Sequence, residues 1–366
     1  MKQVGDHWEY IARYVDDAIV FSKDPMSVMR ELEKSYVMKG VGEPRYYLGG
    51  DVNQLDEAWG KEGISTSLSA DTYIKNVLPK LSKMCNMEQF AKSKVPMSED
   101  YHSELDDTPF LGPEDHAKYR SFIGSANWLI TLGRFDIAYA TSNLARYSNA
   151  PRKGHFEATK KIFGYLRTFP QAALYLDMTT PPIRETAKFS NEAETWGEFY
   201  PDAGEDIPDD MPFPVRPTVS ITCYVDADHV RDKLTRRSVT GIIILINNMP
   251  IVWVSKRQKT VETSTYGSEL VAARIAVELM ISMRYKLRML GVNIEKESVM
   301  VGDNMSVILN TTVPSSQLKK KHQAICYHKV REAIASGYLK FGHISSLDNI
   351  SDICTKLWDP HLFIGL

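Results

Sequence analysis

The sequence has little cysteine: four residues among 366, widely spread and without a CxxC pair. That usage excludes a disulfide-rich secreted scaffold and offers no cysteine pair from which a zinc site could be built. His322 and His328 do not supply such a site either, because six residues of helix separate two side chains by about 240°. We therefore expect buried thiols at Cys85, Cys223, Cys326 and Cys354.

Long apolar runs are also absent from the sequence. No stretch approaches the roughly 20 apolar residues that span a bilayer, and the N-terminus MKQVGDHWEY lacks the basic-then-apolar order of a signal peptide. We expect no membrane partner and an intracellular location, either cytoplasmic or nuclear. With 43% hydrophobic and 25% charged residues, the composition is that of a globular protein with two or three domains.

An excess of charge of one sign is lacking too, since the formal net charge is only -2. The charges are nevertheless segregated along the chain. Residues 185–210 contain nine acids and one lysine, whereas residues 219–366 contain 19 Lys+Arg against 13 Asp+Glu. A basic C-terminal part favours contact with nucleic-acid phosphates, and it becomes more basic still if several of its acids bind metal ions.

The hydrophobic pattern predicts how the first two thirds of the chain are organised. Residues 7–24 predict a strand, a tight turn and a second strand, followed by a helix over 26–39 and one strand in GEPRYYLGGDV. Residues 93–112 form a polar connector, and residues 118–168 predict three helices. The segment 181–218 is acidic and rich in proline, which is typical of a linker or a long loop.

The last part of the chain, residues 219–366, predicts consecutive strands that then alternate with helices. Such an order indicates an α/β or α+β fold with a mixed five-stranded sheet flanked by helices. The predicted strands are residues 219–227, 239–246, 251–255, 298–302 and 338–343. A long helix is predicted over residues 264–290, and a last helix begins at Leu347.

Four acids in this part lie inside or at the ends of predicted strands and helices, positions where metal ligands commonly occur. Asp226 lies inside an apolar strand, where an unpaired carboxylate is costly to bury. Glu269 opens the long helix on its apolar face, Asp303 follows an apolar strand, and Asp352 begins the final stretch NISDICTK. Magnesium and manganese prefer hard oxygen ligands, and two ions about 4 Å apart commonly cut phosphodiesters. Singly, each acid also fits an ordinary role as an ion-paired strand acid, a helix-terminal acid or a cap.

The motifs around these acids resemble the RNase H domain of copia-type LTR-retrotransposon Pol polyproteins. In chain order they are YVDADHVRDKLTRRSVTG, WVSKRQKTVETSTYGSELVAARIAVEL, GDNMSVILN, KKKHQAICYHKVREAIASG and NISDICTK. The resemblance implies an RNase H-like fold with two Mg²⁺ or Mn²⁺ ions, bridged by Asp226 and completed by Glu269, Asp303 and Asp352. It also implies hydrolysis of the RNA strand of an RNA/DNA hybrid, leaving a 3'-hydroxyl and a 5'-phosphate. Asp228 either assists or only forms a nearby hydrogen bond.

Three positions depart from the family pattern. Gly267 stands where the family commonly has an additional glutamate, a change that we expect to be neutral. Phe135, in LGRFDIAYA, replaces a usual proline, and the sequence alone offers no reason for it. The C-terminal TKLWDPHLF lacks the proline that often follows TK, so the resemblance does not extend to the extreme C-terminus.

The N-terminal half resembles the preceding part of the same polyproteins. YVDDAIVFSKDP is similar to the acidic hairpin of a reverse-transcriptase palm, with Asp16 and Asp17 at the turn, and residues 119–170 are similar to the copia-type connection. The implied domains are a partial reverse-transcriptase palm and thumb (1–91), a connection (92–180), a linker or loop (181–218) and RNase H (219–366). Polymerisation needs a further aspartate and the fingers, so we expect this chain alone not to polymerise DNA.

Five basic residues are candidates for contact with the hybrid: Arg236, Arg237, Lys256, Lys320 and Lys321. Each cluster also fits a solvated charged face. The leading hypothesis is a divalent-metal ribonuclease H that derives from a retrotransposon. Its alternative is a catalytically silent remnant or a domesticated scaffold that binds nucleic acid. In a third hypothesis, another Pol chain supplies the missing polymerase parts.

Overall fold

A computed structural model describes residues 1–55, 66–190, 196–318 and 320–357. The N-terminal residues form an antiparallel sheet of β1 (Lys2–Val4), β2 (His7–Tyr14) and β3 (Asp17–Phe21), followed by α1 (Pro25–Glu33). The predicted strand, turn and strand are confirmed, because Tyr14 pairs with Asp17 across a two-residue turn. Helix α1 ends before the predicted Lys39. Val37, at 93% exposure, has no surface to pack against, and short helices depend on such packing.

A second antiparallel sheet contains β4 (Tyr46–Tyr47), β5 (Gly50–Gln54), β6 (Thr66–Ser69) and β7 (Ala173–Tyr175), with α2 (Asp71–Met84) beside it. The single strand predicted from GEPRYYLGGDV is therefore two strands. Leu48 and Gly49 both have positive φ angles, 48° and 86°, which turn the chain back on itself. Because β7 follows the helices at residues 113–168 and pairs with β6, the second sheet joins the N-terminal residues to those helices.

Three helices form the middle of the chain, as predicted: α3 (Pro113–Thr131), α4 (Ala138–Ala145) and α5 (Lys153–Thr168). Their apolar faces meet around Phe122, whose ring lies edge-on to Phe156 at 5.3 Å and to Phe163 at 5.1 Å between centroids. Such edge-to-face contacts are a favourable way to pack aromatic rings. We call residues 92–180, the connector and these helices together, the helical region.

The segment predicted as a linker contains regular structure: α6 (Ile183–Thr186), β8 (Lys188–Phe189), α7 (Trp196–Phe199) and β9 (Val215–Val219). Strand β8 pairs with the sheet of the C-terminal part, so this segment is not only a linker. Its acidic residues are also anchored, since Glu205 accepts hydrogen bonds from Arg284 and Arg288 at 2.7 Å.

The C-terminal part contains the following elements: β10 (Ile221–Asp228), β11 (Val239–Ile246), β12 (Met249–Arg257), α8 (Thr265–Met289), β13 (Val292–Ile294), β14 (Ser298–Gly302), α9 (Met305–Thr312), α10 (Ala324–Ala335) and β15 (Leu339–His343). Short 3-10 turns cover Ser346–Asp348 and Ile350–Cys354, where a helix was predicted. The sheet order is β12-β11-β10-β14-β15-β8, with parallel pairing between β10, β14 and β15. The predicted mixed sheet with flanking helices is confirmed, and β8 adds a sixth strand.

Both faces of this sheet are buried. On one face, Val225 and Ile244 join the apolar face of α8, and on the other, Tyr224 and Ile243 join the helical region around Phe135. The Phe135 ring stacks on Trp253 with 5.4 Å between centroids, and Trp253 Nε1 donates to the carbonyl of Ile130 at 3.0 Å. Phe135, which had no explanation from the sequence, thus fills the contact between the two parts of the chain.

None of the described helices is long and apolar enough to cross a membrane.

We expect Phe135→Ala to lower the free energy of unfolding by about 3 kcal/mol, because it leaves a cavity between the sheet and the helical region. Thermal unfolding followed by circular dichroism measures the loss. Phe213→Ala is the matched control, since Phe213 is 74% exposed and should change stability little. Equal effects of the two substitutions would contradict a core shared by the two parts.

Candidate metal centre

Three of the predicted acids converge at one end of the sheet. Asp226 lies near the end of β10, Asp303 follows β14, and Glu269 lies on the buried face of α8, which packs on the sheet. Because β10 and β14 are parallel neighbours, their carboxyl ends meet at one edge of the sheet. Each acid offers one oxygen, and the three oxygens lie within 4.8 Å of one another. Asp226 and Glu269 are buried, and Asp303 is half-buried.

Asp352, the fourth predicted acid, is not in that group of three but lies beside Asp226. Burial and the negative charge of Asp226 raise the pKa of Asp352 to about 7, although the neighbouring Lys356 opposes the shift. Lys356 Nζ lies 2.6 Å from Asp352 Oδ2. The other oxygen, Oδ1, is buried and has no hydrogen-bond donor within the described parts of the chain. This oxygen is available as a metal ligand beside Asp226.

The segment that carries Asp352 is held against β10 by contacts that the sequence did not reveal. The buried Asn349 donates through Nδ2 to the carbonyl of Val225 at 3.0 Å, and the Thr355 hydroxyl donates to Asp226 Oδ2. Gly241 lies opposite Asp226 in the neighbouring strand, where a Cβ atom would come within 2.7 Å of the Ser351 carbonyl oxygen. Only glycine therefore allows this segment to lie so close to the sheet.

Gly267 also lies in close packing, against the ends of two side chains. A Cβ atom at this position would lie 2.3 Å from Gln323 Nε2 and 2.6 Å from Glu262 Oε2. The glutamate that the family commonly has here would need Glu262 and Gln323 to move. Glu269 itself is placed by the start of α8, where the Ser264 side chain accepts from the Gly267 amide and fixes the first turn.

The electrostatics of the cluster favour a bound cation. Burial, together with the charges of Asp226 and Asp303, raises the pKa of Glu269 well above its ordinary range. Burial also raises the pKa of Asp228 to about 6, opposed by Arg231, whose Nε lies 3.7 Å from Asp228 Oδ2. Carboxylates so close together repel one another, and their hard oxygens suit Mg²⁺ or Mn²⁺. The donor set and the buried oxygen of Asp352 fit such an ion. Asp228 is held by an ion pair and stands outside the group of three.

The acids of the N-terminal hairpin are not part of any comparable cluster. Asp16 lies in the exposed turn between β2 and β3, and Asp17 begins β3. Across the described ranges, the one group of three or more acidic, histidine or cysteine side chains close enough for a metal is that of Asp226, Glu269 and Asp303. Within the part of the chain that the structure describes, no third carboxylate joins the predicted polymerase pair.

The candidate nucleic-acid contacts differ in their surroundings. Arg236 and Lys256 are exposed, and Arg237 is half-buried, at the end of the sheet where β10 joins β11. Lys321 is exposed as well, whereas Lys320 donates to Thr263 Oγ1 at 3.0 Å beside the start of α8. Lys319, in the same run, and the C-terminal residues 358–366 lie outside the described residues.

No protein-family model matches the sequence. The chain is 26% identical over 359 residues to the retrovirus-related Pol polyprotein from transposon RE1 of Arabidopsis thaliana, covering 97% of this chain and 21% of that protein. It is 27% identical over 354 residues to the Pol polyprotein from transposon TNT 1-94 of Nicotiana tabacum, covering 94% and 23%. Its homologues are thus retrotransposon Pol polyproteins, as the sequence motifs indicated, and the chain spans about a fifth of their length.

Among solved structures, RNase H1 from Halobacterium salinarum matches with a TM-score of 0.28 and 12% identity, over 36% of this chain and 89% of that one. LC11-RNase H1 in complex with an RNA/DNA hybrid matches with a TM-score of 0.29 and 16% identity, over 36% and 89%.

We expect Glu269→Gln to stabilise the protein when metal is absent and the pH is high enough to ionise Glu269, because it removes one of the crowded charges. The gain should be on the order of 1 to 3 kcal/mol, the size of a like-charge contact in a partly screened site. Thermal unfolding in EDTA measures it, with Glu278→Gln as the control, since Glu278 pairs with Arg274 on the same helix. Added Mg²⁺ should then stabilise the wild type more than Glu269→Gln. A variant that is less stable than the wild type in EDTA would contradict the interpretation that the clustered carboxylates repel one another.

The pH dependence of stability provides a second check on the cluster. The pKa of Asp352 is raised from its ordinary 3.8 to about 7, so between these values the folded metal-free protein binds more protons than the unfolded chain. As pH rises through this window, ionisation of Asp352 in the folded state therefore lowers the free energy of unfolding more and more. Urea unfolding in EDTA should show Asp352→Asn gaining stability relative to the wild type from about pH 4 to about pH 7. A difference that stays constant with pH would refute this expectation.

Proposed function

We propose that the C-terminal part of this chain, residues 219–366, is a divalent-metal nuclease that hydrolyses the RNA strand of RNA/DNA hybrids. The observation that carries the proposal is the convergence of Asp226, Glu269 and Asp303, from three separate elements, with their oxygens within 4.8 Å. The order of the acids and their surrounding motifs, which resemble RNase H of retrotransposon Pol polyproteins, support this choice among phosphodiester chemistries.

In the proposed site, Asp226, Glu269 and Asp303 would hold the metal, and Asp352 would add its Oδ1. Bound Mg²⁺ or Mn²⁺ would supply the positive charge that makes a water nucleophilic and stabilises the leaving oxygen. The contribution of the chain is to orient the ligands: Thr355 fixes one oxygen of Asp226, Ser346 donates to Asp303 Oδ2 at 2.6 Å, and Lys356 holds Asp352.

The basic residues would contact the substrate backbone. Arg236, Arg237 and Lys256 lie near the same end of the sheet, and Lys320 and Lys321 lie before α10. Phosphate contacts of this kind position a hybrid without reading its sequence, while groove shape and 2'-hydroxyls distinguish RNA from DNA. DNA polymerisation is not part of the proposal, since Asp16 and Asp17 have no third carboxylate beside them among the described residues.

The proposal predicts that the full chain cuts the RNA strand of a labelled RNA/DNA hybrid in Mg²⁺ or Mn²⁺. Products should carry a 3'-hydroxyl and a 5'-phosphate, and a DNA duplex of the same sequence should remain intact. Asp226→Asn should reduce cleavage to background, because it weakens the central ligand. The control is Asp348→Asn, which changes an exposed acid in the adjoining segment and should cut normally. Folded wild-type protein that leaves the hybrid intact would overturn the proposal.

A further inference from the structure

A loop at the edge of the candidate metal centre joins β10 to β11. We call residues 229–238 the edge loop. It begins one residue after Asp228 and three after Asp226, and His229 Nδ1 lies 3.3 Å from the hydroxyl of Ser268, the neighbour of Glu269. The loop also carries Arg236 and Arg237. Its conformation therefore determines where two candidate substrate contacts lie relative to the clustered acids.

The edge loop has an unusual backbone. Val230 and Arg236 have φ angles of 58° and 57°, a region that β-branched and long side chains rarely adopt. Inside the loop, the Asp232 amide donates to the Arg237 carbonyl at 3.2 Å, and the Arg236 amide donates to the Asp232 carbonyl at 2.8 Å. Backbone strain of this kind persists only where the surroundings hold it in place.

Much of what holds the edge loop comes from outside the C-terminal part. Arg146, at the end of α4, donates through Nη1 to Asp232 Oδ2 at 2.8 Å, beside a second donor, Arg257 Nη1, also at 2.8 Å. The Tyr139 hydroxyl in α4 accepts from Arg231 Nε at 2.8 Å. Asp232 is only 3% exposed, so its two charge-assisted bonds lie in a poorly solvated setting where they are strong.

We propose that Arg146 and Tyr139 of the helical region are positioning residues for substrate binding by the C-terminal part. They act through Asp232 and Arg231 to fix the edge loop, and thereby place Arg236 and Arg237 for the phosphates of a hybrid. The inference rests on the proposed function for the identity of the substrate. Its consequence is that α4 contributes to hybrid affinity without touching the hybrid.

The most direct variant is Tyr139→Phe, which removes only the hydroxyl that Arg231 contacts. Its matched control is Tyr165→Phe, because Tyr165 is also buried in the helical region but its hydroxyl interacts with Asp136 and Arg134, not with α4 or the edge loop. We expect Tyr139→Phe to raise KM for the hybrid and its Kd roughly tenfold, the effect of one hydrogen bond to a charged group, with little change in kcat. Tyr165→Phe should lower the melting temperature without changing KM.

A second variant tests whether the effect passes through the loop arginines. Arg146→Gln removes the ion pair with Asp232, and Arg146→Lys, which keeps the charge, should recover part of the affinity. In a background of Arg236→Ala with Arg237→Ala, Arg146→Gln should have little further effect on Kd, because its action depends on those two side chains. Circular dichroism of each variant establishes that it is folded.

Hybrid affinity is measured by fluorescence anisotropy in EDTA, so the result does not depend on cleavage. If wild type and Tyr139→Phe bind the hybrid equally, or if Arg146→Gln weakens binding equally with and without Arg236 and Arg237, the positioning role is wrong. If the wild type binds the hybrid and the variants weaken binding, but nothing is cleaved, the proposed nuclease fails while the positioning role stands. A wild type with no affinity for hybrids overturns both.

Discussion

The constraint on which this structure depends is that its mixed sheet is apolar on both faces. β10 and β11 are nearly continuous runs of buried residues, so both faces need a cover to exclude water. Helix α8 provides one cover within the C-terminal part. The other comes from the helical region, through Phe135 and its contact with Trp253. The two parts of the chain are consequently one packed body at this surface, and the geometry at the end of the sheet is fixed from both sides.

The same packing holds the clustered acids together although they repel one another. Asp226 and Glu269 are buried next to each other, which is unfavourable by itself: burial and the charge of Asp226 raise the pKa of Glu269. Their positions are nevertheless imposed by elements that are held elsewhere: β10 by its neighbours, α8 by its apolar face, and residues 349–355 by Asn349 and Gly241. The free energy of burying the sheet thus offsets a local repulsion between the acids. A cation bound by the same carboxylates would remove that repulsion.

Much of this site could be predicted from the sequence because its signals are local. Asp226 interrupts an apolar strand, Glu269 lies on a helical stripe, and Asp303 follows a strand end, so each position follows from periodicity and order. The contacts that hold them are not local. Thr355 and Asp226 are 129 residues apart in the chain, and Arg146 and Asp232 are 86 apart. No periodic pattern in the sequence indicates such long-range contacts. A two-residue strand such as β8 is also too short to show the alternation of apolar and polar residues by which strands are predicted.

Strand β8 also has a consequence for how the protein behaves in solution. Its two residues pair with Gly342 and His343 of β15, and the Phe189 ring lies where any side chain at position 342 would stand. The outer strand of a sheet offers unpaired amides and carbonyls that can recruit the same strand of another molecule. By covering Gly342 and His343 with a short strand and a bulky ring, the chain shields this end of β15 from edge-to-edge association, one route to aggregation.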